Sequence, residues 1–192
     1  LANGIKTHIN TVITKYNCKT ETIDWLIAFA KEKKIQAEFN FLFEQSGEKS
    51  GSRRFMTESD SLRKIAKYIV NLKKLGAPIL FSQKVYQLVA DWPNYQKRFY
   101  QNKTPKFAYV PCYAGRFIVF IDVDGKVYPC PQLIDLIPAL SFQKVGFAKA
   151  WENLRNQPCK ACYFPCFNEF SSIANLDFVV IRDQIISTLK GN

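Results

Sequence analysis

Five of the six cysteines fall between residues 112 and 166, at Cys112, Cys130, Cys159, Cys162 and Cys166, and a proline abuts every member of the group but one. Pro111, Pro129, Pro131, Pro158 and Pro165 account for five of the nine prolines in the chain. Proline fixes φ and removes a donor, which suits rigid loops whose remaining amide N–H groups point at sulfur. A chain of 192 residues buries a core without disulfide staples, so the thiols need another use. An adjacent C-x2-C pair reads as a metal or redox site rather than as a disulfide framework.

The segment around the first two cysteines predicts how four thiolates meet. RFIVFIDVDGKVYPC reads as a β-hairpin, two alternating runs joined at Asp124-Gly125, a pair that accepts positive φ. Cys112 lies just before the first strand and Cys130 ends the second, so both sit toward the open end. CKACYFPC follows a short helix, FAKAWENLR, and is expected to fold back onto that end. Zinc and iron–sulfur clusters both accept four cysteines. Zinc ribbons use two short knuckles, whereas here the first pair is C-x17-C and the second group C-x2-C-x3-C, a spacing that leans toward a cluster. Cys18 is remote and reads as a small, half-buried residue.

Scarcity removes other chemistries. The single histidine, His8, supplies no multi-histidine metal site and reads as a plain strand residue. Neither GxxxxGK[ST] nor GxGxxG occurs, which leaves Walker and Rossmann phosphate cradles without support. Apolar residues at 47 % are enough to repay the ordering entropy, so the chain folds. FIVFI (117–121) falls far short of the roughly 20 residues that span a bilayer, and no basic-then-apolar leader opens the chain. No membrane span and a cytoplasmic location are therefore expected. The net charge of +11 admits nucleic acid, an anionic cofactor or an acidic peptide. Leu1 stands where Met would begin a chain, and a strand pattern starts almost at once, so a missing N-terminal portion is expected.

Along the chain, residues 5–14 alternate as a strand and 20–34 switch to helical spacing, with Thr20 as cap and Lys31, Lys33 and Lys34 at the C-terminal dipole end. QAEFNFLFE makes a second strand ending near Glu44, a strand–helix–strand unit of the kind that builds parallel sheets. The polar loop 45–54 lies past that strand's C-terminal end, where open parallel sheets place ligands. A helix is predicted from Thr57, ended by Gly76 and Pro78, and another over 82–92. Residues 94–110 are basic and aromatic: Lys97, Arg98, Lys103 and Lys106 alternate with Tyr95, Phe99, Tyr100 and Phe107. They read as a linker docked on its neighbours, with nucleic-acid binding the disfavoured alternative. Residues 171–189 read as one amphipathic helix.

These features resemble the radical S-adenosylmethionine enzymes that carry a C-terminal SPASM or twitch domain. The likeness rests on Cys112, Gly125-x4-Cys130 within DGKVYPC, a helix with Trp151, and Cys159-x2-Cys162, spanning about residues 107–170. More loosely, 5–92 resembles the closing strands and helices of the family's partial barrel. The resemblance implies an α/β (α+β overall) chain: residues 1–93 as the C-terminal part of a partial (β/α)6 barrel, 94–106 as linker, and 107–192 as a hairpin-plus-helix auxiliary-cluster domain. It implies one [4Fe–4S] cluster on Cys112, Cys130, Cys159 and Cys162, with Cys166 spare or substitute, since five nearby thiols suffice for the one-cluster twitch variant. On the barrel side it implies Asn10 and Thr14 toward S-adenosylmethionine and the loop from Glu44 to Arg54 toward substrate; Asn168 and Glu169, after Cys166, carry no assigned role. The C-x3-C-x2-C motif of the catalytic cluster and the Gly-Gly-Glu segment are absent from the sequence. S-adenosylmethionine, a second [4Fe–4S] cluster and a flavodoxin or ferredoxin reductant are therefore expected only with the full-length oxidoreductase or maturase, and this piece alone should be inactive. The alternative is a non-enzymatic structural zinc module whose basic aromatic linker contacts nucleic acid or protein.

Overall fold

The structure, a computed structural model, describes residues 7–42 and 51–190. The order of elements is β1 (His8–Ile13), α1 (Thr20–Lys33), β2 (Gln36–Phe41), α2 (Ser59–Lys74), α3 (Gln83–Ala90), β3 (Phe99–Gln101), β4 (Phe120–Ile121), β5 (Lys126–Tyr128), β6 (Leu140–Ser141), α4 (Phe142–Val145), α5 (Phe147–Glu152), β7 (Cys159–Cys162), α6 (Pro165–Ala174) and α7 (Phe178–Lys190). Helices joined by small sheets make it a mixed α/β chain, as the sequence predicts at that coarse level.

The N-terminal half is built as the periodicity predicts. β1 and β2 pair in parallel, His8 with Gln36 through Ile13 with Phe41, and α1 is the crossover. Ile79 extends this sheet by a parallel bridge to Ala37, held by Ala37 N–H to Pro78 O (2.8 Å) and Leu80 N–H to Ala37 O (2.9 Å). β2 therefore has neighbours on both sides. Its Ala37, Phe39 and Phe41 are buried with Ile23, Ile27 and Ala30 of α1 and Leu62, Ile65, Ala66 and Ile69 of α2. Helix limits shift slightly: Lys19, not Thr20, is the N-cap of α1, without a side-chain cap, and Lys34 takes the left-handed C-cap conformation. Glu58 N-caps α2, whose first residue, Ser59, lies two residues inside the predicted start. Ser82 caps α3 by accepting from Val85 N–H (3.4 Å). Of the loop expected to face substrate, residues 43–50 lie outside the described residues, as does Glu44 at the predicted end of β2; Ser52–Phe55 form one 3-10 turn.

The C-terminal half departs from expectation in two places. Residues 94–106, expected as a linker, contain β3, which pairs antiparallel with β7. The aromatic residues around it pack rather than face solvent: Trp92 meets Tyr100, Phe107 and Tyr163 edge-on with ring centres 5.0–5.8 Å apart, and Tyr95 donates its hydroxyl to Val89 O (2.6 Å). The single helix expected over 171–189 is two. It breaks at Asn175–Asp177, where Leu176 adopts φ +56° and Asp177 accepts from Val179 N–H (3.2 Å) and Val180 N–H (3.4 Å) to cap α7. The predicted hairpin is present as β4 and β5, with β6 added beside β5. Asp122 N–H bonds Lys126 O and Gly125 takes the required φ of +77°.

One buried carboxylate ties the halves together. Glu169 of α6, 1 % exposed, accepts from Ser82 N–H (3.1 and 3.2 Å) and Ser82 Oγ–H (2.7 Å) at the start of α3, and from the Gln184 amide of α7. Burial pushes its carboxyl above the ordinary 4.5 in spite of these donors. An acid with a raised folded-state pKa contributes stability that is complete below its unfolded value and is lost as pH rises through the folded one. The stability of the wild type relative to Glu169→Gln, measured by urea unfolding, is accordingly expected to fall as pH is raised from 4.5.

Gly115 supplies a second test. It sits at φ +83°, and a Cβ there would lie 3.0 Å from the Leu154 carbonyl oxygen and 3.3 Å from Pro129 Cβ. Its own carbonyl accepts from Trp151 Nε1–H (3.0 Å), so the chain cannot simply retreat. Gly115→Ala is expected to cost about 1–3 kcal/mol in denaturant unfolding, the sum of left-handed strain and a backbone clash.

Candidate metal centre

β7 carries two of the five clustered cysteines, and a bulge decides where they point. In a regular strand Cys159 and Cys162, three residues apart, would face opposite sides. Here Phe99 pairs with Cys162, Tyr100 with Ala161 and Gln101 with Cys159, so Lys160 is an extra residue without a partner on β3. That insertion restores the alternation by one position. Ala161 then enters the main core beside Tyr163, while Cys159 and Cys162 turn to the same opposite side.

Cys112 joins them through its own backbone, donating its N–H to Lys160 O (2.9 Å) on the outer edge of β7. Tyr113 N–H then bonds Ser171 Oγ (3.1 Å) of α6. Cys130 arrives from the end of β5 on a 3-10 turn, Pro131–Leu133, anchored by the fully buried Leu133. Cys159 is gripped on both sides by the Gln157 amide, which accepts from its N–H (2.6 Å) and donates to its carbonyl (3.2 Å). Asn168 Nδ2–H donates to Cys162 O (2.9 Å). Asn168 thus has a definite role, positioning the loop that carries Cys162.

The result is one small pocket walled by Cys112, Cys130, Cys159 and Cys162, closed by Phe99, Phe164 and Phe167 and by Gln132. All four sulfurs are free thiols, and the backbone N–H groups of Ala114, Gln132 and Phe164 each pull down the pKa of the cysteine two positions earlier, Cys112, Cys130 and Cys162. The Gln101 side chain does the same for Cys159, while Leu133 N–H donates to the Cys130 carbonyl oxygen (3.2 Å). Such donors hold a thiolate in place and delocalise its charge. Burial nevertheless dominates. It pushes Cys130 and Cys159 each up to about 12, Cys162 well above its usual value and Cys112 upward, each of Cys130, Cys159 and Cys162 raised further by neighbouring thiols of the same set. Among the described residues no group of three or more His, Cys, Asp or Glu side chains is placed to hold a metal ion.

The other predicted site residues lie elsewhere. Cys166, on the first turn of α6, faces the main core, where burial pushes it up to about 11 and Glu38 adds to the shift. It does not line the thiol pocket. Cys18 is half-buried against the same core, and burial pushes its thiol up. Asn10 belongs to a polar patch on the β1–β2 sheet: Asn40 Nδ2–H donates to Asn10 Oδ1 (3.3 Å) and to Glu38, and His8 Nε2 sits 3.1 Å from Glu38 Oε2. Thr14 is spent on the turn after β1, its N–H and hydroxyl both bonding Asn17 Oδ1 (2.6 and 3.1 Å). Glu38, Asn40 and Gln132 were not singled out from the sequence. For the first two the signal was there, in polar residues alternating within the otherwise apolar QAEFNF. Among the described residues no helix is long and apolar enough to cross a membrane. Comparison with family models, curated proteins and solved structures finds no match to this chain.

A group bound by four thiolates must displace their protons. Loading the pocket is therefore expected to release protons, and apparent affinity for the metal is expected to rise with pH between 7 and 9, since Cys130 and Cys159 are held protonated up to about 12. Metal uptake followed in weakly buffered indicator solution, and competition with a chelator at several pH values, measure the two quantities.

Proposed function

We propose that this chain is the C-terminal part of a radical S-adenosylmethionine oxidoreductase or maturase, and that residues 107–170 hold an auxiliary [4Fe–4S] cluster on Cys112, Cys130, Cys159 and Cys162. One observation carries this reading. Of five clustered cysteines, the four that match the family pattern line one pocket, and the fifth, Cys166, does not. The donor set also suits the group: four sulfurs, backbone N–H groups that favour the thiolate at three of them, apolar aromatic walls, and a buried amide oxygen, Gln132 Oε1, with no hydrogen-bond partner among the described residues. Such a cluster supplies one-electron chemistry, and hydrogen bonds to its sulfurs with the surrounding burial set its potential.

The parallel β1–α1–β2 unit, continued to Ile79 through α2, supports reading 7–92 as closing βα units of the partial barrel. The polar patch of His8, Asn10, Glu38 and Asn40 on that sheet is then the face that looks toward S-adenosylmethionine and substrate in the whole enzyme, and it includes Asn10, which the family resemblance turns toward the cofactor. The motifs for the catalytic cluster and the cofactor's methionine end are absent from this sequence and would lie elsewhere in that enzyme.

Anaerobic reconstitution with iron and sulfide, followed by metal and sulfide analysis, tests the reading. About four irons and four sulfides per chain are expected in wild type and in Cys166→Ala, with loss in Cys130→Ala and Cys162→Ala. One zinc without sulfide would refute the cluster and leave a structural zinc module.

A further inference from the structure

The turn Pro131–Leu133 places one glutamine in the lining of an otherwise sulfur-and-aromatic pocket. Gln132 is 7 % exposed, and its Oε1 is enclosed with no hydrogen-bond partner among the described residues. Its position is not accidental packing slack. Cys130 N-caps the turn, Pro131 fixes the first φ, Leu133 is 0 % exposed and its N–H donates to the Cys130 carbonyl (3.2 Å). A buried amide oxygen without a partner costs stability that an apolar side chain of the same size would not.

The chemistry of the walls says what would satisfy it. Phe99, Phe164 and Phe167 offer no hydrogen-bonding group, and the four sulfurs, once deprotonated to bind metal, are acceptors only. A glutamine amide carries two N–H donors and one oxygen, and a half-turn about its last bond exchanges them. Thiolates and an anionic cluster would fill the pocket that Gln132 lines with acceptors, and acceptors call for the NH2 end of its amide.

We propose that the Gln132 side-chain amide donates a hydrogen bond to the iron–sulfur group held by Cys112, Cys130, Cys159 and Cys162 and so holds its reduction potential up. This rests on the cluster reading above. Gln132 is a positioning residue here, tuning the group through one N–H···S contact without ligating iron. A donor at sulfur stabilises the more negative, reduced state over the oxidised one. Removing it biases the one-electron equilibrium toward oxidation.

The test uses the reconstituted chain as wild type, Gln132→Leu and Gln132→Glu, with iron and sulfide counted in each before a redox titration followed by electron paramagnetic resonance. All three are expected to hold the same iron and sulfide, because no ligand is touched. The midpoint of Gln132→Leu should fall by about 59 mV, a tenfold change for one electron. That of Gln132→Glu should fall at least as far, since a carboxylate offers charge and no donor. Pulsed resonance in D2O should show one exchangeable proton coupled to the wild-type cluster and missing from Gln132→Leu. Before reconstitution, the thiol form of Gln132→Leu should unfold at no lower urea concentration than wild type. Equal midpoints and an unchanged proton signal at equal iron content would overturn the Gln132 role while leaving the cluster in place. Wild type that takes up zinc without sulfide would overturn both.

Discussion

The pairing of β3 with β7 is the constraint on which both halves of the molecule depend. Four residues, Cys159–Cys162, have to serve two interiors at once: Ala161 closes the main core, and the cysteines on either side of it close the thiol pocket. A flat strand cannot do this with a spacing of three. The extra residue, Lys160, lets it, and the same residue's carbonyl receives the N–H of Cys112. One backbone irregularity thus sets the direction of two thiols and the position of a third.

Around that strand the interior is divided by size. The larger core runs from Ile13 of β1 to Tyr163 after β7, and the aromatic cluster of Trp92, Tyr95, Tyr100, Phe107 and Tyr163 seals its end. Two small clusters support the cysteine region, one on Ala114, Cys130 and Leu133, the other on Val127, Ala150 and Leu154. Clusters of three buried residues each are too small to hold a loop-rich fold rigid by apolar burial alone. A metal group on the four thiols, as proposed above, would add folding free energy where the hydrophobic contribution is smallest.

Much of the N-terminal half was legible because it is local. Period-2 runs, a helix between them, Gly76 and Pro78 as stops and Ser82 as a cap act within a few residues, and the structure follows them to within a residue or two. The Asp124-Gly125 turn was equally plain. The misreadings share a cause. The strand inside 94–106 has no pattern of its own and exists because β7 is there to pair with it. The break at Leu176 interrupts an apolar periodicity that continues on both sides, so the pattern hides it; Asp177, able to cap the following helix, was the available sign.

The grouping of cysteines, their spacing and their prolines pointed by themselves to a gathering of thiols within residues 112–166, since those features constrain the chain over short distances. Which four thiols share the pocket was decided by tertiary structure. Cys166 sits only four residues from Cys162, yet α6 turns it toward Glu38 and the main core, while Cys112, some 50 residues away in sequence, is brought in by a single hydrogen bond to Lys160. Gln132 became visible for the same reason. Its sequence neighbours mark it as a turn residue, and only the convergence of three distant segments encloses its amide among sulfurs. Burial is a property of the assembled chain, and it is burial that turns the amide oxygen of an ordinary glutamine into an unsatisfied acceptor at the candidate centre.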